Sequence, residues 1–134
     1  MRYIKILCIL LVSFTATAGI LFEVPRLPIL NETIRVLYFH VPMWFSMIFL
    51  LLLSSVNAYR FISTKNIKYD LISYNYAHVG VYFGVLGILT GMVWANYTWG
   101  TFWTNDPKLN GSAIGLLIYF GYFILRNSIE DESK

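Results

Sequence analysis

Seven residues carry the chemical interest of this chain: His40, Trp94, Trp99, Gly100, Phe102, Trp103 and Asp106. Six of them fall within "WANYTWGTFWTNDPKLNG", residues 94–111, which holds three of the chain's four tryptophans. Trp and Tyr collect at the headgroup level of a bilayer, and an interfacial belt accounts for several of these rings. It does not account for Gly100 beside Trp99, or for the density of rings in one connection. A flat apolar platform for a planar ligand does, because indoles offer stacking area and a glycine lets the backbone come close. Asp106-Pro107 also reads as the N-cap and first residue of a following helix.

His40 stands in "YFHVPMWF", with Trp44 one helical turn further on. A lone histidine at the end of an apolar run is usually a satisfied interfacial residue. Neutral imidazole is also a common ligand of haem iron. His78 lies 18 residues before Asn96, roughly 27 Å of helix at 1.5 Å per residue, so it reads as a packing or hydrogen-bonded residue. There is no carboxylate pair, Ser-His-Asp set or phosphate loop. Cys8 is the single cysteine, so the chain has neither an intrachain disulfide nor a CxxC. It reads as a small hydrophobe, and the chain as something other than a conventional enzyme.

The elements that must position these residues follow from composition. Of 134 residues, 57% are hydrophobic and only 13% charged, about half the charge of a soluble domain. That balance calls for a bilayer as solvent. No basic cluster points to nucleic acid. Four apolar runs, about 4–22, 40–60, 76–95 and 109–125, predict an all-α polytopic membrane helix bundle with four transmembrane helices, in one membrane domain. The third carries Gly80, Gly84, Gly87 and Gly91, a spacing that reads as a close helix-packing face.

Orientation follows from Lys and Arg. An N-in/C-in arrangement places Arg2, Lys5, Arg60, Lys65, Lys68, Arg126 and Lys134 inside, and only Arg26, Arg35 and Lys108 outside. His40 and the tryptophan-rich loop then share the outer face. The first run has an alternative reading as a signal peptide, with "ATA" at 16–18 as the cleavage site, although apolar residues continue past it. In the 23–39 loop, Pro25 and Pro28 forbid an early helix. Asn31 is the expected N-cap of a short interfacial helix through Ile34, Leu37 and Tyr38, and Pro42 is expected to kink or restart the chain. The tail "RNSIEDESK" is polar and expected to fray.

"WGTFWTND" resembles the WGxxWxWD signature of the haem-handling proteins of cytochrome c biogenesis. "GMVWANYTWGTFWTNDPK" and "LYFHVPMWFSM" together resemble the haem exporter protein C (CcmC) family over nearly the whole chain. The resemblance implies a multi-pass protein of the bacterial inner membrane that holds haem b at the outer face. It also implies transfer to a periplasmic haem chaperone, with ATP-binding-cassette transporter subunits assisting release. Trp99, Gly100, Trp103 and Asp106 match the signature, His40 matches the first axial histidine, and Trp94 and Phe102 complete the expected platform. Haem propionates would need cations, for which Arg26, Arg35 and Lys108 are the outer candidates.

Two departures stand out. Asn105 replaces the signature's last tryptophan. Members of the family have about six spans, with the second histidine in a later outer loop that His78 does not match. A shortened form, or a piece completed by another chain, is therefore expected, and the second ligand is left open. The rival reading is a structural or assembly subunit of a membrane complex, its aromatic loop an interfacial contact. A transporter component is a third, weakened by the lack of a placed intramembrane acid or base other than His78.

Overall fold

The computed structural model describes residues 2–132. Four helices, α1 (Arg2–Leu21), α2 (Leu37–Thr64), α3 (Ile67–Trp99) and α4 (Pro107–Glu132), account for most of it, and a 3-10 segment, Glu32–Val36, leads into α2. All four helices contain stretches long and apolar enough to cross a membrane. Among the described residues the only β feature is an isolated bridge between Leu27 and Asn31. Lys134, counted above among the inner charges, lies outside the described residues.

The packing is inverted relative to a water-soluble bundle. Phe45, Phe49, Leu52, Val56 and Tyr59 form an exposed stripe along α2. The buried hydrophobic residues are few and mostly small or medium: Ala77, Val81, Ala95, Leu116 and Phe123. Contiguous apolar surface on this scale is not tolerated in water, so the outer surface is matched to lipid and the chain is a multi-pass membrane protein.

With no hydrophobic drive between helices in lipid, close backbone approach and polar contacts must hold them together. The α2–α3 pair shows both. A Cβ built on Gly91 would lie 2.8 Å from His40 Cε1, and one on Gly87 would lie 3.1 Å from Trp44 Cε2. The equivalent contacts are 2.8 Å from Gly84 to Met47 Sδ and 2.9 Å from Gly80 to Leu51 Cδ2. Steps of four, three and four residues up α2 thus meet the same steps down α3, large side chains filling the notches that glycine leaves. Further along, Ser54 and Ser73 exchange hydrogen bonds, each hydroxyl donating to the other's carbonyl at 2.9 Å.

The turn between α2 and α3 is two residues long. Lys65 adopts the left-handed conformation (φ 55°) and its N–H caps Phe61 O, while the Asn66 side chain accepts from Lys68 N at 3.0 Å. α4 packs on another face of α3 through Ala77, Val81, Leu116 and Phe123. Its far end is tied to α3 by Arg126, whose guanidinium donates through both terminal nitrogens to the Asp70 carboxylate, Nη1 to Oδ1 at 2.9 Å. Arg126 also donates to Tyr122 Oη and lies 4.8 Å from the Tyr74 ring centroid. His78 sits beside this pair among Tyr74, Tyr82 and Phe123, with ring centroids 4.9–5.5 Å away.

Local features depart from expectation at Asn31, at Pro42 and in the polar tail. Asn31 has φ 44° and makes no side-chain cap. Its N–H instead closes the turn onto Leu27 O. Pro42 lies inside α2 in its second turn, where it removes one backbone donor without ending the helix. The polar tail is helical as far as Glu132, with the Ser128 hydroxyl bonded back to Ile124 O, and residues 133–134 of it lie outside the described residues. α1 touches the rest mainly at its end, where Gly19 meets Tyr38 and Arg35 donates to the carbonyls of Gly19, Ile20 and Phe22.

Candidate functional site

α3 does not stop at Ala95 but runs to Trp99, so Trp94 and Trp99 are helical and the connection proper is residues 100–106. Nothing before Gly100 breaks the helix. Gly100 then takes φ 76° and donates its N–H to Asn96 O, the left-handed cap that L side chains adopt only at a cost. Its role in this fold is to stop α3, and a Cβ there would meet nothing within 4 Å. Asp106 starts the next helix: Oδ1 accepts from Lys108 N at 2.7 Å and from Leu109 N at 3.2 Å, and Pro107 is the first helical residue. The cap expected from the Asp-Pro pair is present.

These two helix ends frame a cavity of about 480 Å³ between α2, α3 and α4. His40, Trp94, Trp99, Asp106 and Lys108 all line it, with Trp44 and Leu109 among the remaining walls. Its size lies within the roughly 300–1,000 Å³ range of small-molecule sites. Trp94 and Trp99 meet edge to face, centroids 5.0 Å apart and planes at 74°, the arrangement that the ring quadrupoles favour. They form a corner rather than a continuous flat floor.

The other two aromatic candidates lie elsewhere. Trp103 donates its indole N–H to Asn110 Oδ1 at 3.1 Å and lines a separate groove between α3 and α4 with Ile88 and Leu117. Phe102 is half exposed and is not among the cavity walls. Of the three cations, Arg35 is engaged by the end of α1 and by Glu32, and Arg26 faces Glu32 at 3.4 Å. Lys108 is the one that lines the cavity.

His40 is held at both ring nitrogens. Trp44 Nε1 donates to Nε2 at 3.0 Å, and Nδ1 lies 3.1 Å from Thr90 Oγ1. Thr90 Oγ1 in turn is 2.8 Å from Leu86 O. The indole N–H of Trp94 and the hydroxyl of Thr98 are buried without a hydrogen-bond partner, and a buried donor left unpaired costs about 1–3 kcal/mol. The sequence reading passed over Thr90, although it is the one aliphatic hydroxyl in the glycine-rich run. It also passed over the Asp70–Arg126 pair.

Four apolar helices, three of them framing an aromatic-walled, histidine-bearing cavity at one end of the bundle, define a polytopic membrane protein. Residues 1–134 match the family described as Heme exporter protein C, CcmC. The chain belongs to that family. It is 31% identical over 91 residues to the protein named "Putative cytochrome c biosynthesis ccmC-like mitochondrial protein" of Marchantia polymorpha, covering 68% of this chain and 40% of that one. It is 30% identical over 105 residues to Heme exporter protein C of Bradyrhizobium diazoefficiens, covering 78% and 40%. Cytochrome c biogenesis protein CcsA of Gossypium barbadense is 40% identical over 76 residues, covering 57% and 23%. The chain thus matches at most about two fifths of the length of these relatives. No solved structure matches it.

Proposed function

We propose that this chain handles haem b during cytochrome c maturation, holding it in the cavity beside His40 and passing it on. The observation that carries the reading is the convergence of an imidazole, two tryptophans and one lysine on a single cavity. The residues suit haem: His40 supplies an iron ligand, Trp94 and Trp99 apolar surface for the porphyrin, and Lys108 a charge for a propionate. Asp106 shapes the rim by fixing the start of α4, and Gly100 by ending α3. Trp103 and Phe102 extend the apolar surface toward the neighbouring groove. The cargo is transferred rather than chemically transformed; the recipient is a periplasmic haem chaperone, and ATP-binding-cassette transporter subunits of the same system assist release.

The proposed location is the bacterial inner membrane, N-in/C-in, with the cavity on the outer face, as the Lys and Arg distribution favours. The name of the Marchantia relative makes the mitochondrial membrane the second location to test.

Purified protein titrated with haem and followed by absorption tests the reading. A Soret band should form, and His40→Ala should shift it and weaken binding at least 10-fold. Trp99→Ala should weaken binding more than Trp103→Ala, because only Trp99 lines the cavity. Unchanged binding in His40→Ala would remove the assignment of the ligand. Equal effects of the two tryptophans would remove the assignment of the cavity.

A further inference from the structure

The hydrogen bonds around His40 define one protonation pattern. An indole N–H can only donate, so His40 Nε2 must accept from Trp44. In neutral imidazole the proton then sits on Nδ1, which donates to Thr90 Oγ1. The Thr90 hydroxyl keeps its own proton for the carbonyls of α3, Leu86 O at 2.8 Å and Gly87 O at 3.1 Å. One directed relay results: Trp44 to His40, His40 to Thr90, Thr90 to the backbone of α3. Each member is placed by the helix pair, since Trp44 seats on Gly87 and the His40 ring on Gly91.

We infer that Trp44 and Thr90 are positioning residues with opposite effects on the iron-ligating nitrogen, Thr90 presenting Nε2 and Trp44 closing it until haem arrives. The inference rests on the haem reading above and extends it to two residues that contact His40. A metal-bound histidine characteristically donates its second N–H to a fixed acceptor, which sets the tautomer and ring orientation. Thr90 is that acceptor before any haem is present. Nε2 is thereby the nitrogen with the available lone pair, and that lone pair is the one Trp44 occupies. Iron and the Trp44 N–H compete for one site, so binding must break the indole bond while keeping the threonine bond. For a protein that has to release its cargo, the indole is a built-in competitor that recaptures Nε2 when iron leaves.

The two residues are separated by the sign of their effects. Replacing Trp44 with β-(3-benzothienyl)alanine keeps the bicyclic shape against Gly87 but deletes the N–H. Haem should then bind about 2- to 10-fold more tightly and dissociate more slowly, the factor corresponding to one net hydrogen bond. Thr90→Val keeps the shape and deletes the acceptor, and should weaken haem binding roughly 10- to 100-fold. Thr90→Ser should restore it.

The haem-free chain, with ¹⁵N-labelled histidine and His40→Ala used to assign the signal, should show the His40 imidazole protonated on Nδ1. Thr90→Val should shift that population. A haem-free protein protonated on Nε2 would overturn the proposal, as would equal weakening by the Trp44 and Thr90 replacements. If His40→Ala binds haem normally, the ligand reading and the competition fall together, whereas the tautomer measurement, made without haem, judges the relay on its own.

Discussion

At the scale of single residues, Asp106 shows how one side chain can belong to a signature and to a helix at once. Its Oδ1 accepts two backbone N–H groups at the start of α4 while the residue lines the cavity. Substitutions separate cap from charge. Asp106→Ala should destabilise the protein by about 1 kcal/mol, the usual cost of losing an N-cap, whereas Asp106→Asn retains a capping oxygen and should cost a few tenths at most. Thermal unfolding in detergent measures both. If haem binding falls in Ala and not in Asn, the carboxylate acts by fixing α4 rather than by its charge. The cap was legible from Asp-Pro alone, because the signal is local. The partners of Arg35 were not, since they are carbonyls at the end of another helix.

At the scale of elements, the α2–α3 pair ranks its glycines. Alanine at Gly84 would press on the mobile ends of Met47 and Leu116, which can turn aside, and alanine at Gly80 chiefly on Leu51 Cδ2, with Leu50 Cβ at 3.3 Å behind it. Alanine at Gly87 or Gly91 would press on the rings of Trp44 and His40, which are bonded to each other. Gly91→Ala should therefore cost about 1–3 kcal/mol as overpacking and displace the imidazole. Gly115→Ala, with nothing within 4 Å, should be neutral or stabilising by up to about 1 kcal/mol. Unfolding midpoints and haem affinity test the ranking. The glycine spacing announced a packing face in the sequence. Which side chains fill it depends on register, and register is set by the two-residue turn and the fit of large groups into notches, neither of which a hydropathy profile contains. The same profile placed the start of the third span near residue 76, whereas α3 begins at Ile67, because polar residues such as Asp70 and Ser73 are satisfied by other helices.

At the scale of the whole molecule, polar contacts sit at three levels of the bundle. The His40 relay lies at one end, the Ser54–Ser73 exchange further along, and the Asp70–Arg126 pair at the other. Asp70 and Arg126 keep only 19% and 17% of their side-chain surface exposed, so neither is a solvated surface charge. Removing one partner leaves the other poorly solvated. Asp70→Asn should cost on the order of 2–3 kcal/mol, somewhat below the 3–5 typical of a fully buried pair. Asp70→Leu combined with Arg126→Leu should cost less than either single change alone, in a double-mutant cycle read by thermal unfolding. The four apolar runs were plain in the sequence because hydropathy averages over many residues. This ion pair was hidden because its members are 56 positions apart. The matched steps of α2 and α3 also bear on inheritance. Residue types along the seam can drift one at a time, but its length cannot: one residue inserted between Gly84 and Gly91 would turn everything beyond it by about 100°, carrying Trp94 and Trp99 away from His40. Lineages that keep this cavity should therefore accumulate substitutions in the seam while insertions and deletions fall in the connections on either side.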